Sequence, residues 1–184
     1  MLRNDVQSWG SLAKFFHWIM AALVLAQIGL GWTAASWRLS PLKLDLFVWH
    51  KSIGMLILAL VALRVLWRLV NPTPALPAGT PVWERRAARI SHVLLYLSMI
   101  GMPVTGWIVH SADNIPFRIF WLIPLVAIVA EAKETADLAA LVHFAFFVLL
   151  SALLLVHIGA ALRHHFIKRN DVLARILPGT GRKR

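Results

Sequence analysis

The chain contains no cysteine. This absence excludes disulfide bonds, thiolate metal sites, iron–sulfur clusters and any haem attached through a CxxCH motif. A bound cofactor must therefore use other ligands. Acidic residues are also scarce, with eight Asp and Glu against nineteen Lys and Arg. None of the eight lies within the four long apolar stretches of the chain, whereas a proton relay through a membrane usually uses such acids.

The four apolar stretches account for most of a chain in which 59% of the 184 residues are hydrophobic. They cover approximately residues 15–37, 46–70, 90–110 and 138–162. Each reaches the ~20 residues that a helix needs to cross a hydrocarbon core of ~30 Å. The sequence therefore predicts an all-α integral membrane four-helix bundle, as a single domain over residues 1–184. We expect no cleaved signal peptide, because the N-terminal segment leads into the first span without a small-residue cleavage site.

The net charge of +11 is concentrated on one side of this predicted bundle. The side that carries both termini holds fourteen of the nineteen basic residues but three of the eight acids, and the other side is neutral. The positive-inside rule makes the basic side cytoplasmic. Anionic lipid head groups are the expected partner of this charge, and no nucleic-acid binding is expected. The fourteen residues are Arg3, Lys14, Arg64, Arg68, Arg85, Arg86, Arg89, Arg163, Lys168, Arg169, Arg175, Arg182, Lys183 and Arg184.

Residues 111–137 are ambiguous, because they include a sixteen-residue apolar run at 115–130. Pro116, Arg118 and Pro124 interrupt the run. A fifth span here would leave no return loop before residue 138 and would place the basic tail outside. We therefore expect a loop that packs on the outer surface of the bundle.

Two histidines, His143 and His157, lie within the fourth apolar stretch. Fourteen residues of α-helix rise about 21 Å and end about 40° from the starting direction, so both imidazoles lie on one face, one near each leaflet. A polar side chain at membrane depth is costly and indicates a functional site. Other histidines fall at the same two depths: His17 and His92 with His157 near the inner surface, His50 and His110 with His143 near the outer surface, and His164 and His165 just beyond the fourth stretch.

Histidines paired from facing helices can hold haem b between the helices of a bundle. Two imidazoles on one iron leave no open position, which favours electron transfer over oxygen activation. The glycines of the spans leave room for a flat ring, and Arg64 and Arg68 are placed to meet haem propionates. A zinc site is less favoured, because zinc usually takes three or four protein ligands. The residues alone predict two haems but do not separate His17 from His92 as the inner ligand.

Several short motifs in a fixed order carry a family resemblance. They are FFHW (15–18), HKSIG (50–54), RVLWRLVNPTP (64–74), SHVLLYL (91–97), MPVTGW (102–107), LVH and HIGAALRHHF of the fourth span, and KRNDVLARILPG (168–179). Through this set, which covers nearly the whole chain except 111–137, the sequence resembles the bacterial cytochrome b561 family. That family consists of four-helix, di-haem proteins of the inner membrane.

The resemblance implies which histidines bind each of two non-covalent haem b groups. It makes His17 and His157 the ligands on the cytoplasmic side, and His50 and His143 the ligands on the periplasmic side. His92 matches a family position that is not a ligand. One departure lies at Phe144, next to His143, where family members often have a charged residue.

The implied function is electron transfer between a periplasmic-face donor and the ubiquinone pool in the bacterial inner membrane. Superoxide oxidation coupled to ubiquinone reduction is one such family activity, and Lys51, Arg118 and Lys133 are candidates for attracting superoxide to the outer haem. The alternative is a haem-bearing anchor subunit that relays quinol electrons to a periplasmic redox partner.

We expect the quinone to bind beside the cytoplasmic-side haem, close to His164. Arg163, His165 and Lys168 also crowd this end of the fourth span. A quinone head group is apolar with two carbonyl acceptors, so it needs hydrogen-bond donors beside an apolar slot. The alternative is that these residues only bind anionic lipid head groups.

Overall fold

The computed structural model describes residues 1–6, 8–77 and 79–179, so Arg182, Lys183 and Arg184 of the predicted basic side lie outside the described residues. Each of its four long helices is long and apolar enough to cross a membrane. This confirms the predicted all-α, four-helix membrane bundle. The helices are α1 (Ser11–Ser36), α2 (Pro41–Leu69), α3 (Val82–Ala112) and α4 (Lys133–Phe166), and a short helix α5 (Val172–Ile176) follows them.

The helix ends follow local sequence signals. At the start of α2, the Ser40 hydroxyl accepts a hydrogen bond from the Lys43 backbone N–H at 3.3 Å, and Pro41 occupies the first turn, where it costs no hydrogen bond. The link between α1 and α2 is four residues long, which makes them antiparallel neighbours. The proline-rich segment between α2 and α3 stays outside both helices, as its composition predicts.

The bundle is built from two helix pairs. α1 packs on α2, α3 packs on α4, and the pairs meet through α2 and α3. Each helix contributes one residue to a small apolar core of Val24, Ile57, Leu95 and Leu150. Leu150 lies seven residues from both His143 and His157, so this core forms an apolar layer between the two histidine depths.

The segment between α3 and α4 forms a short hairpin rather than a fifth span. Strands β1 (Arg118–Ile119) and β2 (Ile123–Pro124) pair antiparallel, with Arg118 opposite Pro124. The hairpin contacts α2, because the Phe120 N–H donates to the Ser52 hydroxyl at 2.8 Å. The segment outside the helices is thus shorter than the predicted 111–137, since α3 continues to Ala112 and α4 begins at Lys133. We call this end of the bundle the loop end.

The opposite end, which we call the basic end, holds the start of α1 and the end of α4. Here α5 lies against α1: the Trp18 indole N–H donates to the Ile176 carbonyl at 2.8 Å, and the Lys14 ammonium donates to the Leu177 carbonyl at 3.0 Å. These bonds join the C-terminal segment to the first helix. The basic end is the one that the charge distribution predicts to be cytoplasmic.

Candidate functional site

Two pairs of histidines face each other between the helix pairs. The ring centroids of His17 and His157 are 6.3 Å apart near the basic end, and those of His50 and His143 are 6.2 Å apart near the loop end. All four side chains are half-buried. Among the four long helices, α4 packs mainly against α3, and its two histidine side chains reach towards α1 and α2. The structure thus brings together the four histidines that the resemblance selects.

The His143 ring is held by α3. Its Nδ1 lies 2.9 Å from the Met102 carbonyl and 3.0 Å from the Thr105 hydroxyl, and that hydroxyl donates to the Gly101 carbonyl at 2.7 Å. The Nδ1–H is therefore the donor to Met102, and Nε2 keeps its lone pair. A metal-binding histidine is commonly oriented in this way by a carbonyl on its other nitrogen.

Glycines make room for the rings of His50 and His143, the pair near the loop end, which we call the outer pair. A Cβ at Gly31 would lie 2.6 Å from Cε1 of His50, and one at Gly106 would lie 3.3 Å from Cε1 of His143. Gln27 donates to the His50 carbonyl and so ties α1 to α2 at this level. The absence of side chains at these two glycines lets the imidazoles occupy the space between helices.

A largely apolar cavity of about 340 Å³ surrounds the outer pair. Its lining includes His50 and His143, together with Gly31, Gly54 and Gly106. An apolar cavity with a few convergent polar groups is the usual form of a cofactor site. The two imidazole rings therefore face an apolar space between the helices.

The three cations predicted to attract superoxide occupy different positions. Lys51 lines the cavity beside His50. Arg118 instead donates to the Leu122 carbonyl at 3.1 Å, and Lys133 forms an exposed ion pair with Asp137. Lys51 is therefore the one of the three that the structure places at the outer pair.

Two arginines lie close to His17 and His157, the pair near the basic end, which we call the inner pair. Arg64 Nη2 lies 3.2 Å from Nδ1 of His17, and both Arg64 and Arg68 lie over the Tyr96 ring, at 5.7 and 5.6 Å from its centroid. Arginine has no acceptor, so Nδ1 of His17 accepts this bond. His92 also reaches this cluster, with its ring centroid 5.4 Å from that of His157, but its side chain is exposed.

The end of α4 forms a second polar cluster at the basic end. Nε2 of His164 lies 3.8 Å from the Glu84 carboxylate, and Nδ1 lies 2.8 Å from the Asn170 amide nitrogen. Arg163 and Lys168 both pair with Glu84, whereas His165 is exposed. Sequence reasoning did not assign Glu84 to this site. Its signal was its position, since it is an isolated acid at the inner end of a span on a strongly basic side.

Residues 8–179 match the family model described as prokaryotic cytochrome b561. The chain belongs to this family. It is 34% identical over 181 residues to cytochrome b561 homolog 2 of Escherichia coli K12, covering 95% of this chain and 93% of that protein. It is 26% identical over 170 residues to cytochrome b561 homolog 1 of the same organism, covering 89% and 93%. It is 27% identical over 166 residues to the probable superoxide oxidase CybB of Yersinia pestis, covering 88% and 91%.

Membership of the cytochrome b561 family confirms the predicted class of function. The protein is a multi-pass membrane electron-transfer cytochrome of the bacterial inner membrane, and the family cofactor is haem b. The predicted resemblance, which rested on short ordered motifs, is confirmed over almost the whole chain.

Proposed function

We propose that this cytochrome b561 carries two haem b groups and moves electrons between a periplasmic donor and ubiquinone. His17 and His157 hold the haem near the basic end, and His50 and His143 hold the haem near the loop end. The observation that carries the proposal is the spacing of the two histidine pairs.

A metal–imidazole bond is about 2.0 Å and a ring centroid lies about 1.2 Å behind the bonding nitrogen, so two imidazoles that held one metal ion would have centroids up to about 6.4 Å apart. The His17–His157 and His50–His143 centroids are 6.3 and 6.2 Å apart. The His92–His157 centroids are 5.4 Å apart, about 1 Å closer than this spacing. The spacing therefore supports His17 rather than His92 as the inner ligand.

The number of ligands supports haem as well. Within the described residues, no three His, Asp or Glu side chains are grouped to hold one metal ion. Each histidine pair supplies two nitrogens, which suits an iron whose other four ligands come from a porphyrin. When bound, haem b would supply a reversible one-electron couple, and a pair of histidines would hold it.

Arg64 and Arg68 would pair with the haem propionates at the inner site. If His17 held iron through Nε2, it would carry its proton on Nδ1, and Arg64 could not donate to that nitrogen. Arg64 would then be free to pair with a propionate carboxylate, a strong partner for a guanidinium. This accounts for two arginines beside a half-buried histidine pair.

Ligand replacement tests the haem assignment. His50→Ala or His143→Ala should remove the outer haem, and His17→Ala or His157→Ala the inner haem, so that a pyridine haemochrome assay falls from two haems per chain to one. His92→Ala is the matched control and should retain both. One haem or none in the unmodified protein would contradict the proposal, and loss of a haem from the control would exchange the roles of His17 and His92.

Ubiquinone would bind at the basic end, beside His164. The half-buried ring of His164 lies within a cluster of donors that includes Arg163 and Lys168, and the quinone carbonyls need such donors. Reduction of ubiquinone takes up two electrons and two protons, and this end is the one predicted to face cytoplasmic water.

His164→Ala tests this site, with His165→Ala as the neighbouring control. We expect His164→Ala to keep both haems and to slow haem oxidation by a soluble quinone analogue at least tenfold. His165→Ala, which removes an exposed ring, should leave the rate unchanged. Equal rates in both variants would mean that these residues bind lipid head groups and that quinone enters elsewhere.

The features of the outer site favour superoxide as the electron donor. A relative from Yersinia pestis is named a probable superoxide oxidase, and Lys51 places a positive charge at the cavity around His50 and His143. Positive charge raises the encounter rate of an anion. Two superoxide ions would give two dioxygen molecules, and their two electrons with two protons would reduce one ubiquinone to ubiquinol.

The alternative is an anchor subunit that passes quinol electrons to a periplasmic redox protein. It is favoured by the exposed apolar tip of the hairpin, where Leu122 and Ile123 project from the loop end. Superoxide generated enzymatically should reduce the haems of the purified protein on its own if the chain is an oxidase. Reduction or oxidation only in the presence of a partner protein would favour the anchor.

A further inference from the structure

The Glu84 carboxylate lies within 4 Å of three polar side chains at the end of α4. Glu84, in the first turn of α3, is only 8% exposed. It forms ion pairs with Lys168 and, at 3.1 Å, with Arg163, and its Oε2 lies 3.8 Å from Nε2 of His164. The partners come from α4 and the residues just after it. A buried carboxylate is stable only when paired in this way.

Asn170 holds both the ring and the backbone of His164. Asn170 donates its side-chain amide to Nδ1 at 2.8 Å, and its backbone N–H bonds to the His164 carbonyl at 3.1 Å. Because Nδ1 accepts, the neutral ring carries its proton on Nε2, which is the nitrogen nearer to Glu84. At 3.8 Å this N–H is beyond hydrogen-bond distance from the carboxylate, so it is still available to another acceptor.

We propose that Glu84 is a positioning residue of the quinone site: it orders His164, Arg163 and Lys168 so that the Nε2–H of His164 meets a quinone carbonyl. This rests on the quinone site proposed at His164. Glu84 itself does not touch the quinone. It acts by holding two flexible cations, Arg163 and Lys168, in one arrangement beside the imidazole, which lowers the entropy cost of binding the quinone head group.

A purely structural role for Glu84 makes a different prediction. Its ion pairs also tie the start of α3 to the end of α4, and loss of such a tie would lower stability or haem content. That effect would not depend on His164. A positioning role acts through His164, so removing the imidazole should abolish the effect of changing Glu84.

The experiment uses the full-length, haem-loaded protein and a soluble ubiquinone analogue. We expect Glu84→Gln to retain both haems and their spectra, to raise KM for the quinone about tenfold and to change kcat less than twofold. Glu84→Asp, which keeps the charge, should recover part of the lost affinity. Asp171→Asn is the control, because it removes an exposed acid at the same end that pairs with Arg175 instead.

The double variant decides between positioning and structure. In the His164→Ala background, Glu84→Gln should cause no further change in KM, whereas a full tenfold effect there would overturn the proposal. If Glu84→Gln had an unchanged KM while His164→Ala slowed haem oxidation by the quinone, the positioning role of Glu84 would be refuted and the quinone site at His164 would stand. An unchanged rate in His164→Ala would instead refute the quinone site and this proposal together.

A second variant covers the case in which Glu84→Gln loses haem or fails to fold. Asn170→Leu removes the hydrogen bond to Nδ1 of His164 and leaves the Glu84 ion pairs in place. It should raise KM for the quinone about fivefold with both haems retained. An unchanged KM in Asn170→Leu would show that the orientation of the His164 ring does not matter and would overturn the proposal.

Discussion

Gly31 lies against the His50 imidazole where α1 and α2 pack together. A methyl group at Gly31 would lie 2.6 Å from the ring, whereas one at Gly29, two residues earlier on the same helix, would meet nothing within 4 Å. Both glycines look alike in the sequence, as small residues in an apolar span. The contact, rather than the residue type, gives Gly31 its importance for the outer histidine pair.

Gly31→Ala should therefore displace the His50 ring and release the haem that we propose at the outer pair. Forcing a methyl group into a packed contact costs about 1–3 kcal/mol. We expect the haem content to fall from two per chain towards one, measured by pyridine haemochrome, with the inner haem retained. Gly29→Ala is the matched control and should keep two haems. Full haem content in Gly31→Ala would show that the ring can shift without losing its ligand role.

At the scale of elements, the hairpin after α3 adopts a costly turn. Phe120 and Trp121 both have positive φ, 47° and 61°, which costs roughly 1–2 kcal/mol for each residue with a side chain. Contacts with α2 offset this cost, because the Trp49 ring lies 5.8 Å from Phe120 and 5.4 Å from Trp121, and the buried Ser52 hydroxyl accepts the Phe120 N–H. The turn is therefore maintained by tertiary contacts rather than by local preference.

Ser52→Ala should loosen this hairpin without affecting the haems. Loss of one hydrogen bond of about 1 kcal/mol should make cleavage of the loop by an added protease about fivefold faster. Ser98→Ala is the control, because Ser98 is equally buried and its hydroxyl has no hydrogen-bond partner among the described residues. Cleavage at the same rate in Ser52→Ala and the unmodified protein would show that the aromatic contacts alone hold the turn.

At the scale of the whole molecule, the inner and outer histidine pairs form two layers that lie far apart along the bundle axis. His143 and His157 are fourteen residues apart on one helix, which corresponds to about 21 Å along its axis. The apolar core of Val24, Ile57, Leu95 and Leu150 fills the space between the layers. This arrangement places one histidine pair towards each end of the bundle, as the proposed transfer of electrons across the bilayer requires.

The charge distribution predicts how this arrangement is oriented. Fourteen of the nineteen basic residues belong to the side with both termini, so the basic end should be cytoplasmic. A reporter fused after Arg184 should be active in the cytoplasm, and one inserted after Asp113 should be active in the periplasm. Periplasmic activity of the C-terminal fusion would reverse the orientation and place the quinone site on the other surface.

The sequence by itself determined the helices, the depths of the histidines and the family. Span length and hydropathy are local properties, and the interval between His143 and His157 sets their shared face through helix geometry alone. The break in the apolar run at 115–130 was also predictable, because Pro116 and Arg118 interrupt it, but the helix ends at Ala112 and Lys133 were not. The family followed from short motifs that keep their order along the chain.

Only the tertiary structure decided which side chains meet. His17 and His92 lie at one depth, and their separations from His157, 6.3 and 5.4 Å, depend on how α1 and α3 pack around α4. The contact of Glu84 with His164 joins residues 80 positions apart, and the sequence around Glu84 does not identify His164 as its partner. Such contacts depend on the rotation and tilt of packed helices, which many distant side chains set together.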